Sequence, residues 1–328
     1  MLESLLAQGR PLLADGATGT NLFEMGLTSG ESPELWNDTH PDRIAALHRS
    51  FVDAGADIIL TNSFGANRRR LMLHQLEDRT RALNEKGAAI ARSVAAEAGR
   101  PVVVAGSVGP TGDLLAPLGP LTEEEAFAVF VEQVEGLKQG GADVVWIETM
   151  SAPEEIRAAA RAAASVDMPY TVTASFDTAG KTMMGLAPAA LAELAASLET
   201  KPLGVGANCG VGASDLLMSV LAMTEAWPDS VVIAKANAGV PTWHGAHIHY
   251  SGTPDLMAAY AGLALDAGAR IIGGCCGSTP AHIQAMRRAI DRYFAATRPN
   301  LADVVAALGP LASPPAAAPA QARSRRRG

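Results

Sequence analysis

The chain has 328 residues, 48% of them hydrophobic and 18% charged, enough apolar material for a large core. A formal net charge of −8 argues against nucleic acid as the main partner, which would require a basic face. No apolar run approaches the ~18 residues of a membrane span, and the first ten residues lack the basic start of a secretory signal, so the expectation is a cytoplasmic protein that binds neither membrane nor nucleic acid.

In chain order, short β-branched runs predict strands at residues 11–14, 57–61, 102–105, 143–147, 170–174, 203–207, 231–234 and 270–272. Helix-length segments rich in Ala, Leu and Glu lie between them. Thr122-Glu123-Glu124-Glu125 predicts a capping box, and Ser151-Ala152-Pro153-Glu154-Glu155 and Thr253-Pro254-Asp255 place a cap, a first-turn proline and then acids. Ala54-Gly55-Ala56-Asp57, Gly140-Gly141-Ala142-Asp143 and Ala267-Gly268-Ala269-Arg270 are helix ends running into strands. Residues 19–56 form a long connection placed to cover one rim. Residues 243–250, with His244, His247 and His249, read as a glycine-broken loop without helix or strand geometry, whose imidazoles could share an ion or simply line a polar loop. Residues 313–328, rich in Pro, Ala and Arg, read as a disordered tail, which leaves 1–312 as the domain.

Eight strands alternating with helices imply a parallel sheet, and eight such units in about 300 residues fit a single-domain (β/α)8 TIM barrel. A doubly wound sheet is the competing architecture, but no Gly-x-Gly-x-x-Gly follows the first strand. A barrel gathers its site at the C-terminal ends of the strands. The residues found there are Asp15 and Gly16, then Asn62, Ser63 and Phe64, Ser107 to Pro110, Glu148 and Thr149, Ser175, Asn208 and Cys209, Asn237, and finally Cys275 and Cys276.

The chain's three cysteines therefore share one rim, each framed by glycine. Read alone they could be inert buried thiols, a Cys275–Cys276 bridge strained by the short Cα spacing of neighbours, or metal ligands. Successive side chains on a strand point to opposite faces, so Cys275 and Cys276 can meet one ion only if the backbone bends, which Gly273, Gly274 and Gly277 permit. Three thiolates leave one tetrahedral position for a substrate.

At these residues the sequence is similar to the homocysteine S-methyltransferase family, which includes betaine–homocysteine methyltransferase and the homocysteine-binding module of cobalamin-dependent methionine synthase. The resemblance rests on Asp15-Gly16-Ala17-Thr18-Gly19-Thr20, Thr61-Asn62-Ser63-Phe64-Gly65-Ala66-Asn67, Gly109-Pro110-Thr111-Gly112, Glu148-Thr149-Met150, Asn208-Cys209, Asn237-Ala238-Gly239 and Gly273-Gly274-Cys275-Cys276-Gly277. As an ordered set these segments are specific, and they span the chain short of the tail. The resemblance implies a transferase that forms methionine by direct methyl transfer to a homocysteine thiolate held on one zinc ion by Cys209, Cys275 and Cys276. It implies that Asp15 and Glu148 hold the substrate's amino group, that the backbone N–H groups of Ala17 and Thr18 receive its carboxylate, and that Asn208 lies in the substrate site. Asn62, Phe64, Asn237 and Tyr250 are then donor-facing or supporting residues, and no protein nucleophile is needed.

The methyl donor is left open between methylcobalamin on a partner protein, betaine and S-methylmethionine. Betaine-using relatives cage the quaternary ammonium with aromatic rings, and the corresponding positions here are Ser32, Gly65 and Thr149. Trp36, Trp243 and Tyr250 are the aromatic residues that could build a cage from other loops. No Asp-x-His-x-x-Gly cobalamin signature occurs in the chain, so a corrinoid would arrive on another protein. An acceptor such as selenohomocysteine would fit the same site. The alternative from a different class is a structural or redox-sensing zinc module without turnover, which would need a fourth protein ligand from His244, His247 or His249.

Overall fold

The computed structural model describes residues 1–244 and 247–312, and side chains within that range outside 241–249. The tail expected at 313–328 lies outside the described residues. The strands are β1 (Leu12–Leu13), β2 (Ile58–Leu60), β3 (Val103–Val108), β4 (Val144–Met150), β5 (Tyr170–Ala174), β6 (Gly204–Cys209), β7 (Val232–Ala236), β8 (Pro241–His244), β9 (His247–Tyr250) and β10 (Ala269–Gly274). Eight of them form one parallel sheet in the order β1-β10-β7-β6-β5-β4-β3-β2. The two ends of that order meet: Ala14 bridges Ile58, and Asp15 N–H donates to the Ile58 carbonyl at 3.0 Å. The result is the (β/α)8 barrel, and every expected strand is present.

β8 and β9 correct the reading of residues 243–250. The segment is an antiparallel hairpin with Pro241 opposite Tyr250 and His244 opposite His247. Its residues, Thr-Trp-His and His-Ile-His-Tyr, have the β-branched and aromatic character that suits a pleated ribbon. The imidazoles of His244, His247 and His249 lie outside the described side chains, as does Trp243.

Alternation along the strands separates two cores. Leu12, Ala14, Ile58, Leu60, Val103, Ala105, Val144, Trp146, Ile233 and Ile271 fill the barrel interior, and Leu2 and Leu5 of the first helix plug its lower end. The opposite faces pack against the helices. At the lower end Asp57 accepts from Arg10 at 3.0 Å, Arg287 at 3.2 Å and the Leu13 N–H at 2.9 Å, tying first and last βα units together. Continuing the interior register upward gives Ser107, Glu148, Asn208, Lys235 and Cys275, so the apolar filling gives way to polar groups at the strands' C-terminal ends.

The connection from 19 to 56 is held at that rim. Glu34 accepts from the Gly65 N–H at 2.7 Å and from Ser32 Oγ at 2.8 Å, and Asn37 Nδ2 donates to the Asn62 carbonyl at 2.8 Å. The helix Pro41–Asp53 buries Ile44, Leu47, His48, Phe51 and Val52, one stripe of a 3.6-residue period. His48 is the polar exception. Its Nε2 has no partner among the described residues, and burial pushes its pKa down to about 4 from 6.5. The unfolded chain therefore binds a proton below pH 6.5 that the folded chain refuses, and stability falls as pH drops from 6.5 toward 4. His48→Leu is expected to remove ~2–3 kcal/mol of the stability lost between pH 7.5 and 4.5, read as the wild-type-minus-variant difference in urea unfolding. A pH-independent difference would show that His48 is not the neutral core imidazole described. No helix among the described residues is long and apolar enough to cross a membrane.

Candidate active site

The cysteines converge through three backbone devices. β6 ends on Cys209 at φ +62°, a left-handed conformation rare outside glycine, followed by Gly210 at φ +74°. Asn237 Nδ2 secures that turn by donating to the Gly210 carbonyl at 2.7 Å. Beyond β10 the chain bends as expected between the two remaining cysteines: Cys275 N–H extends the ladder to the Ala236 carbonyl at 2.7 Å, while Ser278 N–H closes a turn onto the Cys275 carbonyl at 3.1 Å. Gly277 sits at φ +78° beneath Tyr250, and a Cβ there would lie 2.2 Å from the ring. Only glycine allows that approach.

The ligand-capable atoms of Cys209, Cys275 and Cys276 all lie within 4.8 Å of one another, with Cys209 Sγ and Cys276 Sγ 3.9 Å apart. Zinc–thiolate bonds of ~2.3 Å in a tetrahedron set an S···S edge of ~3.8 Å, so the spacing fits such an ion. The thiols also need one to ionise. Cys275 favours the Cys209 thiolate by hydrogen bonding to it, yet Cys209's own bond to Cys276, its burial and neighbouring charge together push it up to about 12. Cys276 is likewise pushed up to about 12, against a favourable hydrogen bond from Cys209, and Cys275 is raised above all by its hydrogen bond to Cys209. A central dication reverses this balance. Among the described residues no further Cys, His, Asp or Glu joins the cluster.

Glu148 is held from β3. Ser107 Oγ donates to its Oε1, and Ser107 is itself fixed by its N–H donating to Thr61 Oγ1 at 3.0 Å and its carbonyl accepting from Ser63 Oγ at 2.8 Å. Glu148 Oε2 makes no hydrogen bond to a described residue. Burial pushes the Glu148 carboxyl up, with the Lys235 ammonium opposing it.

Asp15, expected to hold the substrate's amino group, has partners within the fold on both oxygens. Its Oδ2 accepts from the Leu60 N–H at 2.7 Å, and its Oδ1 is paired with Lys235 Nζ at 2.8 Å. Ala17 is also engaged, its N–H donating to the Ser278 carbonyl at 3.1 Å, while the Thr18 N–H makes no such bond among the described residues. Asn21 Nδ2 donates to the carbonyls of Ala17 and Ser278, stitching this turn to the cysteine turn. Asn208 acts within the fold: Oδ1 accepts from Thr149 N–H at 2.8 Å and Thr173 Oγ1 at 2.7 Å, and Nδ2 donates to Thr149 Oγ1 at 2.7 Å while facing Cys275 Sγ at 4.0 Å. It holds Thr149 at φ +61° in the irregular end of β4.

Of the donor-facing group, Tyr250 lies against the cysteine turn, its hydroxyl pKa raised by burial and by the neighbouring thiols. Asn62 is a brace, donating to the Pro33 carbonyl at 2.7 Å and to Asn37 Oδ1 at 3.0 Å. Phe64 is half-buried against Gly109, where a Cβ would meet its ring at 2.5 Å. Trp36 is buried with Arg43 over its ring at 5.0 Å, which removes it as a cage wall.

Lys235 is the residue that the strand-end reading passed over. The alternation Ile233-x-Lys235-x-Asn237 already points it into the barrel.

The family model described as homocysteine S-methyltransferase matches residues 12–290. A methionine synthase of Mycobacterium tuberculosis (strain ATCC 25618 / H37Rv) is 34% identical over 311 residues, covering 88% of this chain and 25% of that protein. A methionine synthase of Mycobacterium leprae (strain TN) is 34% identical over 322 residues, covering 92% and 26%. The chain thus spans about a quarter of the length of these curated relatives. The crystal structure of the homocysteine methyltransferase MmuM from Escherichia coli, in its metallated form, superposes with a TM-score of 0.74 at 26% identity, covering 88% of this chain and 99% of that one.

Proposed function

The chain belongs to the homocysteine S-methyltransferase family, and from that premise we propose that it transfers a methyl group to the thiol of homocysteine, forming methionine, with zinc held by Cys209, Cys275 and Cys276. The observation that carries this reading is the convergence of the three sulfurs within 4.8 Å at the barrel's C-terminal rim. Zinc bound there would supply a Lewis acid that keeps a substrate sulfur ionised at neutral pH, where a free thiol is only a few per cent thiolate.

The chain's own residues do the rest. Glu148, oriented by Ser107, offers Oε2 to the substrate ammonium. Thr18 N–H, at the start of the helix Gly19–Glu24, is left open for the carboxylate. Asn237 fixes the turn after Cys209, and Asn208 holds Thr149 while its Nδ2 faces Cys275 Sγ. The thiol proton leaves on binding. An S–CH3 bond then forms as the donor's bond to that methyl breaks, its electron pair staying with the donor.

We assign the donor to a corrinoid carried outside residues 1–312 in preference to betaine. Ser32, Gly65 and Thr149 are not aromatic, Ser32 hydrogen-bonds to Glu34, and Arg43 covers Trp36. Zinc-loaded protein supplied with homocysteine and, separately, methylcobalamin, betaine or S-methylmethionine is expected to form methionine with methylcobalamin. Turnover with betaine alone would overturn the donor assignment, and no thiol methylation with any donor would overturn the function.

A further inference from the structure

The interior of the upper barrel holds a cation that the site chemistry does not use. Lys235 lies on β7 with its side chain 2% exposed, and its Nζ donates to Asp15 Oδ1 at 2.8 Å and to the Asp15 carbonyl at 3.3 Å. Its stem passes Gly273, where a Cβ would come within 3.0 Å of Lys235 Cγ, and its ammonium stands 6.0 Å from the Trp146 ring. Burial works against the charge, but the Asp15 and Glu148 carboxylates together hold the ammonium pKa above the ordinary lysine value.

The two carboxylates are consequently unequal. Each oxygen of a carboxylate can accept more than one hydrogen bond, so occupied oxygens alone do not exclude a ligand. Pairing and access decide together: the Asp15 side chain is 2% exposed with Lys235 on one oxygen and Leu60 N–H on the other, whereas Glu148, 7% exposed, meets a single neutral hydroxyl, that of Ser107. Glu148 keeps one oxygen without a hydrogen-bond partner among the described residues. Asp15 and Lys235 cancel, leaving one net negative charge, the complement of a single ammonium.

We propose that Lys235 is a specificity-determining residue of the acceptor site: it takes Asp15 out of substrate contact, so that Glu148 alone holds the α-ammonium of the thiol substrate. This inference rests on the reading of the site as one for homocysteine. It distinguishes this chain from a site in which both carboxylates grip the amino group, and it makes discrimination for an amino-acid thiol depend on one ion pair.

The test compares homocysteine with 4-mercaptobutyrate, the same thiol without the amino group, titrated into full-length protein carrying Co(II) in place of zinc. Thiol binding is read from the sulfur-to-cobalt absorption band, independently of any methyl donor. The quantity of interest is the ratio of the two dissociation constants. Wild type is expected to prefer homocysteine by roughly tenfold or more, the scale of one charge-assisted hydrogen bond. Glu148→Gln should bring the ratio to within about twofold of unity, and Lys235→Met, which frees Asp15, should raise it by about tenfold. The double variant Asp15→Asn/Lys235→Met removes the buried pair together and guards against misfolding of the single variant; its ratio should stay within about twofold of wild type. A tenfold fall in the double variant, an unchanged ratio in folded Lys235→Met, or strong residual preference in Glu148→Gln would overturn the inference while leaving the function intact. Absence of any thiol-dependent band in all proteins would overturn the function and the inference together.

Discussion

Replacing any one of Cys209, Cys275 or Cys276 by serine is expected to lower bound zinc from one ion per chain to below about a tenth after dialysis, and to reduce methyl transfer by at least about a thousandfold. Cys209 Sγ and Cys276 Sγ sit 3.9 Å apart, close to the ~3.8 Å edge of a zinc–thiolate tetrahedron, and on the proposed reading each of the three sulfurs is a ligand with no replacement among the described residues. A serine hydroxyl is a poor substitute, since it stays protonated where the thiol yields to the metal. Two remaining thiolates would bind weakly, and the substrate sulfur would lose its activating ion. Metal analysis and single-turnover methylation of each variant check the prediction. One cysteine whose loss leaves zinc content and rate intact would show that the cluster is not a three-ligand centre. Folding should be less affected, because the turns are fixed by backbone bonds such as Cys275 N–H to Ala236 and Ser278 N–H to Cys275.

Much of this site was legible in the sequence because a barrel converts strand order into spatial position. Cys209 and Cys275-Cys276 lie far apart along the chain, yet each ends a strand, and parallel strands in a closed barrel bring their C-terminal ends to one rim. Glu148 and Asn208 followed for the same reason. What the sequence did not disclose is how those groups pair. Nothing local to Asp15 shows that Lys235, 220 residues later, reaches its carboxylate. The signal existed in the period-2 register of β7, but a lysine in a barrel interior contradicts the composition expected of buried positions, and that expectation hid it. Ala17 carries the same lesson at the backbone. Its N–H is taken by Ser278 across the β1–β10 seam, a pairing set by closure of the barrel and absent from local turn chemistry. The hairpin of β8 and β9 was missed for the opposite reason: glycine and histidine suggested a loop, while the flanking aromatic and β-branched residues favoured a ribbon.

Lys235→Met as a single change is expected to destabilise the zinc-loaded protein by ~3–5 kcal/mol in urea unfolding, and Asp15→Asn/Lys235→Met by markedly less. The single change strands a carboxylate at 2% side-chain exposure with one backbone N–H and no cation. The double change leaves an amide and a thioether where the ion pair stood, and buried pairs replaced by uncharged groups of similar size often cost little. The difference between the double variant and the sum of the singles measures the coupling directly. The pH dependence supplies a second, independent sign. Burial raises the folded-state pKa of Asp15 even with Lys235 opposing it; without Lys235 that opposition is lost, so the folded variant holds its proton to higher pH than the wild type does. A raised carboxyl pKa costs stability as pH rises, and the deficit of Lys235→Met should therefore shrink as pH is lowered from 8 toward 5. The double variant carries no such group, so its difference from wild type should vary with pH less than that of the single change. A deficit that persists unchanged at low pH would mean that Lys235 contributes through its packed stem beside Gly273 rather than through its charge.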